Sequence, residues 1–243
     1  MEKIWEKSEL RFTLLWIAGY VVGNSLSNEI SNTLGIKNCV TAVFNLGVSL
    51  FLLSWINKNG LMDRYGLCKT KLPASKFLWY IPLIILPSRN LWNGVAVTLP
   101  AVDVIFSICN MIGVGCLEEL LFRGFLFQAI SRNSVENGIV ISSISFGLGH
   151  IANRVNSCGM VIVESIWQII FATAFGFLCA IIFQRGKSLW PCILTHAIFN
   201  VTSVFSNEAG AAGSVRFFQN VGIFLLVIWY TWVLMRILPE GRD

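Results

Sequence analysis

Apolar residues run along this chain in long stretches separated by short polar breaks. Most of the stretches approach the roughly 20 residues that a tilted helix needs to cross a bilayer. The first extends from about Leu10 to Leu26 and ends in a polar turn with Asn28, Glu29 and Asn32. The second covers about Val40 to Ile56. Asn57 to Lys76 is the most polar part of the chain, with Lys58, Arg64, Lys69, Lys71 and Lys76 set against Asp63. Leu61, Met62, Tyr65, Leu67 and Leu72 are interleaved there, so it reads either as an ordinary basic loop or as a segment lying on an anionic membrane surface. A third run begins at Phe77 and is interrupted by Pro82 and Pro87; Leu91 to Pro100, broken by Asn93 and Gly94, reads as an interfacial or re-entrant piece. Five further runs follow, about Val102–Ile130, Gly138–Ala152, Val161–Phe183, Leu189–Phe205 and Val221–Ile237. The pattern predicts an all-α fold, a polytopic membrane bundle of about eight transmembrane helices forming one domain over residues 1–243.

Composition agrees with a membrane protein and narrows its partners. The 243 residues are 55% hydrophobic and 13% charged, where a soluble domain carries about 25% charged residues. The net charge of +5 is scattered over short loops, so it reads as an orientation signal and not as a nucleic-acid surface; the expected partner is membrane lipid, with no nucleic acid. With eight crossings, thirteen of the eighteen Lys and Arg residues fall on one side. The other side holds four, Lys37, Arg89, Arg154 and Arg216, and Arg123 lies inside the membrane. The positive-inside rule then places both termini in the cytoplasm. The N-terminus leads into an apolar run without a small-residue cleavage site and reads as a retained span. The seven cysteines show neither Cys-x-x-Cys nor metal-finger spacing and read as small structural hydrophobes.

Charge inside an apolar run needs a reason, because an ionisable group at mid-bilayer costs about 2.5–3.5 kcal/mol on insertion scales. The stretch Cys116-Leu-Glu-Glu-Leu-Leu-Phe-Arg-Gly-Phe125 carries three such groups. Glu119 and Arg123 are four apart, acid first, and are placed to pair. Glu118 lies about 100° around the helix and is left available. The chain's two histidines, His150 and His196, also fall in apolar runs. Phe146 is one turn before His150, and Asn200 one turn after His196.

Together Glu118, His150, His196 and Asn200 supply the parts of a water-activating hydrolase. A buried carboxylate serves as general base, a histidine polarises the water or passes its proton on, and a histidine beside an asparagine donates to an oxyanion. Residue types alone equally allow a polar network that glues helices together. A zinc site on Glu118, His150 and His196 is also chemically reasonable, since two histidines and a glutamate form a known catalytic set. Ser143 and Ser145 lie near His150, but only proximity supports a serine–histidine site.

Glu118-Glu119-x-x-x-Arg123, Phe146-x-x-x-His150 and His196-x-x-x-Asn200 resemble, in order and spacing, the three motifs of the CAAX protease and bacteriocin-processing family. These are glutamate-type intramembrane proteases, among them the type 2 CAAX prenyl endopeptidase. The flanking words Phe122-Arg123-Gly124 and Ser188-Leu189-Trp190-Pro191 match as well, and the resemblance covers about residues 100–205. It implies Glu118 as general base, His150 as its helper on the water, and His196 and Asn200 as the oxyanion hole. Glu119, Arg123 and Phe146 take supporting roles. It further implies a metal-independent endopeptidase acting on a hydrophobic or lipid-associated peptide or protein, in what looks like a prokaryotic cell membrane. Some members are linked to bacteriocin immunity, so a non-enzymatic immunity protein is the alternative of a different class.

Overall fold

The computed structural model describes residues 1–70, 72–73, 80–151 and 162–239. Among these the fold is all-α, with nine helices once Ala101–Ser131 is taken as one continuous rod. They are α1 (Glu2–Lys7), α2 (Glu9–Leu34), α3 (Cys39–Lys58), α4 (Ile81–Ser88), α5 (Ala101–Ser131), α6 (Val135–Gly149), α7 (Ile162–Gly186), α8 (Trp190–Ser203) and α9 (Gly213–Ile237). Local chemistry sets several of the ends. Ser8 and Ser134 cap α2 and α6 by accepting from the backbone N–H groups of Arg11 and Asn137. Gly35, at φ 70°, closes α2 in the left-handed conformation that glycine tolerates best.

Four helices, α3, α5, α7 and α9, are long and apolar enough to cross a membrane. The other expected crossings differ. α2 has 26 residues but is diluted by Asn24, Ser25, Asn28 and Glu29. α6 and α8 have only 15 and 14 residues. The third run survives as the eight-residue α4, which has Pro82 in its first turn and Pro87 one residue before its end and gives way to a 3₁₀ turn at Arg89–Leu91; its expected start at Phe77 lies outside the described residues. Beyond that turn the chain is extended, with Val95 bridged to Ser206 and the Ala96 N–H donating to the Phe205 carbonyl at 3.0 Å.

The polarity of the bundle is inside-out relative to a water-soluble protein. Its outer surface presents Leu14, Val22, Val43, Leu50, Ile84 and Trp229, while Asn45, Asn110, Glu119 and Arg123 are buried. Such an arrangement suits hydrocarbon surroundings, where polar groups must find partners within the protein. Small residues let the helices approach closely. A β-carbon on Gly115 would lie 2.7 Å from the backbone of Ala197, so α5 and α8 touch through their main chains. One on Gly113 would lie 2.9 Å from the backbone of Asn45 on α3.

The connecting segments gather at two ends. At one, Glu9 accepts from Arg64 at 2.6 Å, Arg132 at 3.0 Å and Tyr65 at 2.7 Å, which ties α2 to the 59–70 segment and to the tail of α5. Burial, together with the hydrogen bond to Glu9 and its charge, pushes the Tyr65 phenol well above its ordinary pKa, so it remains a donor. Thr70 bonds the Gly186 carbonyl at 2.8 Å and the Leu189 N–H bonds the Gly66 carbonyl at 2.7 Å. The basic 57–70 segment is therefore folded into this end, with Tyr65 and Leu67 in the core; these two are not free to lie on a lipid surface. At the other end Arg89 donates to Asn220 at 2.6 Å and Asn93 pairs with Gln219.

Candidate functional site

The acidic motif sits where α5 changes its winding. Residues Ala101–Glu119 are α-helical, and Leu120–Phe127 form a π-helical segment before the α-helix resumes. Such wider turns are rare and concentrate at functional sites. Nothing in the sequence marked this one. It begins directly after Glu118 and Glu119, and every residue in it is buried.

The two glutamates lead different lives. Glu119 is wholly enclosed and pairs with the equally enclosed Arg123, Oε1 to Nη1 at 3.1 Å, as their spacing predicted. The same Oε1 also lies 2.9 Å from His196 Nδ1. A carboxylate paired with arginine can only accept, so His196 Nδ1 carries the hydrogen and Nε2 is left for other work. That second bond, between helices α5 and α8, was not legible in the sequence. Glu118 keeps 14% of its side chain accessible. Its Oε1 accepts from the Tyr20 hydroxyl at 2.6 Å, and its Oε2 faces His196 Nε2 at 3.7 Å. One imidazole thus stands between both acidic groups, a ring nitrogen toward each.

Phe146 gathers the rest. The Arg123 guanidinium lies 4.0 Å from the centre of its ring, a cation–π contact in a dry interior. His150 and His196 meet the ring edge-on, with centroids 5.0 and 5.7 Å away, the arrangement that the ring quadrupole favours over a face-to-face stack. Phe175 closes the other side of His196 at 5.4 Å. Room for the guanidinium comes from Gly176, where a β-carbon would stand 3.2 Å from Arg123 Nη2. His150 caps α6 and is half-buried; its Nδ1 lies 3.0 Å from the Phe146 carbonyl. A carbonyl only accepts, so Nδ1 is the protonated nitrogen and Nε2 carries the lone pair of the neutral ring. Asn200, also half-buried, follows one turn after His196 on α8.

Tyr20 is the site residue that the sequence did not announce. It lies 98 positions from Glu118, and a tyrosine in an apolar run carries no signal of its own. A metal is a different question. Ligands to one zinc at about 2.0–2.2 Å must lie close to one another. Among the described residues Glu119, Cys179 and Cys192 have ligand atoms within 4.8 Å of each other, whereas Glu118, His150 and His196 do not form such a group. Glu119 is already committed to Arg123 and His196, and a guanidinium beside it opposes a second cation. Cys179 and Cys192 are wholly buried and serve as packing.

Two cavities lie near. A groove of about 490 Å³ between α2, α5 and α6 is lined by Leu14, Ile17, Val21, Phe122, Ile141 and Gly149, of which Gly149 precedes His150 in the chain and Phe122 lies within the acidic motif. A larger one, about 630 Å³, is bounded by α7, α8 and α9 and the Arg89–Asn93 turn; none of Glu118, His150, His196 and Asn200 lines either cavity.

Residues 100–202 match the family described as type II CAAX prenyl endopeptidase Rce1-like, a span that contains all three motifs. Over these residues the chain is similar to the Rce1-like family. The Rce1-like segment ends just past Asn200, and α1 to α4 and α9 lie outside it. A Bacillus subtilis (strain 168) protein named "Putative membrane peptidase YdiL" is 24% identical over 204 residues, covering 77% of this chain and 78% of its own length. No solved structure matches.

Proposed function

We propose that the chain is an intramembrane endopeptidase that hydrolyses a peptide bond in a hydrophobic or membrane-associated peptide or protein, with Glu118 as the general base. The observation that carries this reading is the 3.7 Å gap between Glu118 Oε2 and His196 Nε2. It is too wide for a direct hydrogen bond and of a size for both atoms to share one water. Glu118 Oε2 takes a proton from that water as its oxygen attacks the carbonyl carbon. The C–N bond then breaks, and the proton held by Glu118 passes to the leaving nitrogen. His150 accepts the water's second hydrogen at Nε2. His196, when its ring holds both protons, donates through Nε2 to the developing oxyanion, with the Asn200 amide as second donor. Glu119 and Arg123 hold the His196 ring in register. The groove beside α2 is the surface we assign to the apolar part of the substrate. The match of residues 100–202 to the Rce1-like family and the peptidase name of the B. subtilis relative support the reaction class.

The test is proteolysis of quenched fluorogenic apolar peptides, prenylated and unprenylated, in liposomes. At least one is expected to be cut by the wild type, and Asn200→Ala is expected to lower kcat by about 10²–10³-fold, the cost of one oxyanion donor. Activity is expected to survive chelation. Stoichiometric zinc in the purified protein, lost together with activity and restored with it, would overturn the metal-independent mechanism.

We further propose that α2 to α9 form a polytopic bundle of about eight membrane-embedded segments within a single domain, with both termini cytoplasmic, in a bacterial cell membrane. The end that holds Arg64, Arg132, Arg185 and Lys187 is the richer in basic residues. A reporter fused after Asp243 is expected to read as cytoplasmic; an external signal would reverse this assignment.

A further inference from the structure

α2 crosses α5 antiparallel and is pinned to it on both sides of one contact. Toward its start, Glu9 is held by Arg132, just past the end of α5, at 3.0 Å. Toward its end, Asn24 accepts from Asn45 on α3 at 2.9 Å, and the same Asn45 amide donates to Asn110 on α5 at 2.7 Å. Asn110 lies two turns before Glu118, and Asn24 one turn after Tyr20, so the asparagine bridge and the Glu9 clasp fix the register that brings Tyr20 to Glu118. Between the pins the phenol donates to Glu118 Oε1 at 2.6 Å. Tyr20 is buried, and the neighbouring Val21 lines the apolar groove.

We infer that Tyr20 is a positioning residue for Glu118. By occupying Oε1 it fixes the carboxylate rotamer and leaves Oε2 as the basic oxygen, turned to His196 Nε2 and to the water between them. A glutamate side chain has three rotatable bonds, and without this donor the carboxylate swings into the accessible part of the site. Tyr20 lies outside the 100–202 span, so α2 contributes to a centre whose motifs all belong to other helices. The inference rests on Glu118 acting as the base.

Tyr20→Phe removes one hydroxyl and keeps the ring. On the peptide that the wild type cleaves fastest in liposomes, it is expected to lower kcat about 10- to 100-fold with KM unchanged, since a misplaced group of this kind costs up to about 10²-fold. Tyr20→p-aminophenylalanine, which restores a donor at the same place, is expected to recover most of the rate. Combined with Glu118→Gln, Tyr20→Phe should cause no further loss. Wild-type kcat in a folded Tyr20→Phe protein, or a loss confined to KM, would overturn the positioning role. Should Tyr20→Phe fail to fold, p-fluorophenylalanine at this position replaces it as the donor-free partner of p-aminophenylalanine; equal rates for the two overturn the inference. Glu118→Gln in the same assay separates the levels. If it turns over normally, the base assignment falls and the inference with it. If it is inactive while Tyr20→Phe matches the wild type, the positioning role alone falls.

Discussion

Glu118→Gln is expected to abolish turnover and leave the protein folded. The change removes the only proton acceptor on the side chain that faces His196 Nε2, yet keeps its length and shape. The amide oxygen can still accept from Tyr20, so the α2 contact survives. Loss of a positioned general base costs about 10²–10⁴-fold, and detection limits in a liposome assay will read the upper part of that range as inactivity. The measurement pairs peptide cleavage with a thermal midpoint in detergent. A variant that unfolds would show that Glu118 is structural glue, the other use of a polar residue inside a bundle. A folded variant with wild-type turnover would remove Glu118 from the mechanism.

Glu119→Gln is expected to do the reverse, striking the fold first. The carboxylate and Arg123 have no exposed surface, so removing one charge leaves the guanidinium uncompensated in a dry interior. Breaking a buried pair in this way costs about 3–5 kcal/mol, a large share of the stability of an ordinary domain. The cation–π contact with Phe146 remains, but it is worth only about 2 kcal/mol when desolvated and was already present. The readout is expression yield and thermal midpoint. Unchanged stability with lost activity would move Glu119 from the frame of the site into its chemistry. Some loss of activity is expected even in folded material, because the same oxygen orients His196.

That double duty shows where sequence reasoning reached and where it stopped. The pairing of Glu119 with Arg123 and the meeting of Phe146 with His150 follow from one-turn spacing, and both are present. Spacing along one helix cannot report what another helix brings. The bond from Glu119 to His196 and the donor at Tyr20 depend on the packing of α8 and α2 against α5. A hint of the latter lay in Asn24, Asn45 and Asn110, amides in apolar runs that had to find one another. The all-α architecture was legible because long apolar runs admit few alternatives. Helix lengths were less so: an apolar run continues through a helix end when the next residues are apolar as well, as after Ser203, where Val204 and Phe205 follow. The π-helical turn left no trace, since its residues would fit an ordinary α-helix.

The unequal lengths of the helices around the site bear on the membrane itself. α5 has 31 residues, about 46 Å along its axis, whereas α8 with 14 and α6 with 15 span about 21 and 22 Å. A hydrocarbon layer is about 30 Å thick, so the long rod has to tilt and the short ones fall below the span. Hydrophobic mismatch of this kind is relieved by thinning the lipid around the short elements. His150 follows the end of α6 and His196 lies on α8, so under the proposed function such thinning would shorten the depth that a peptide at the interface must travel. If the chain cleaves peptides as proposed, the bilayer becomes part of the catalyst, and turnover is expected to vary with acyl-chain length.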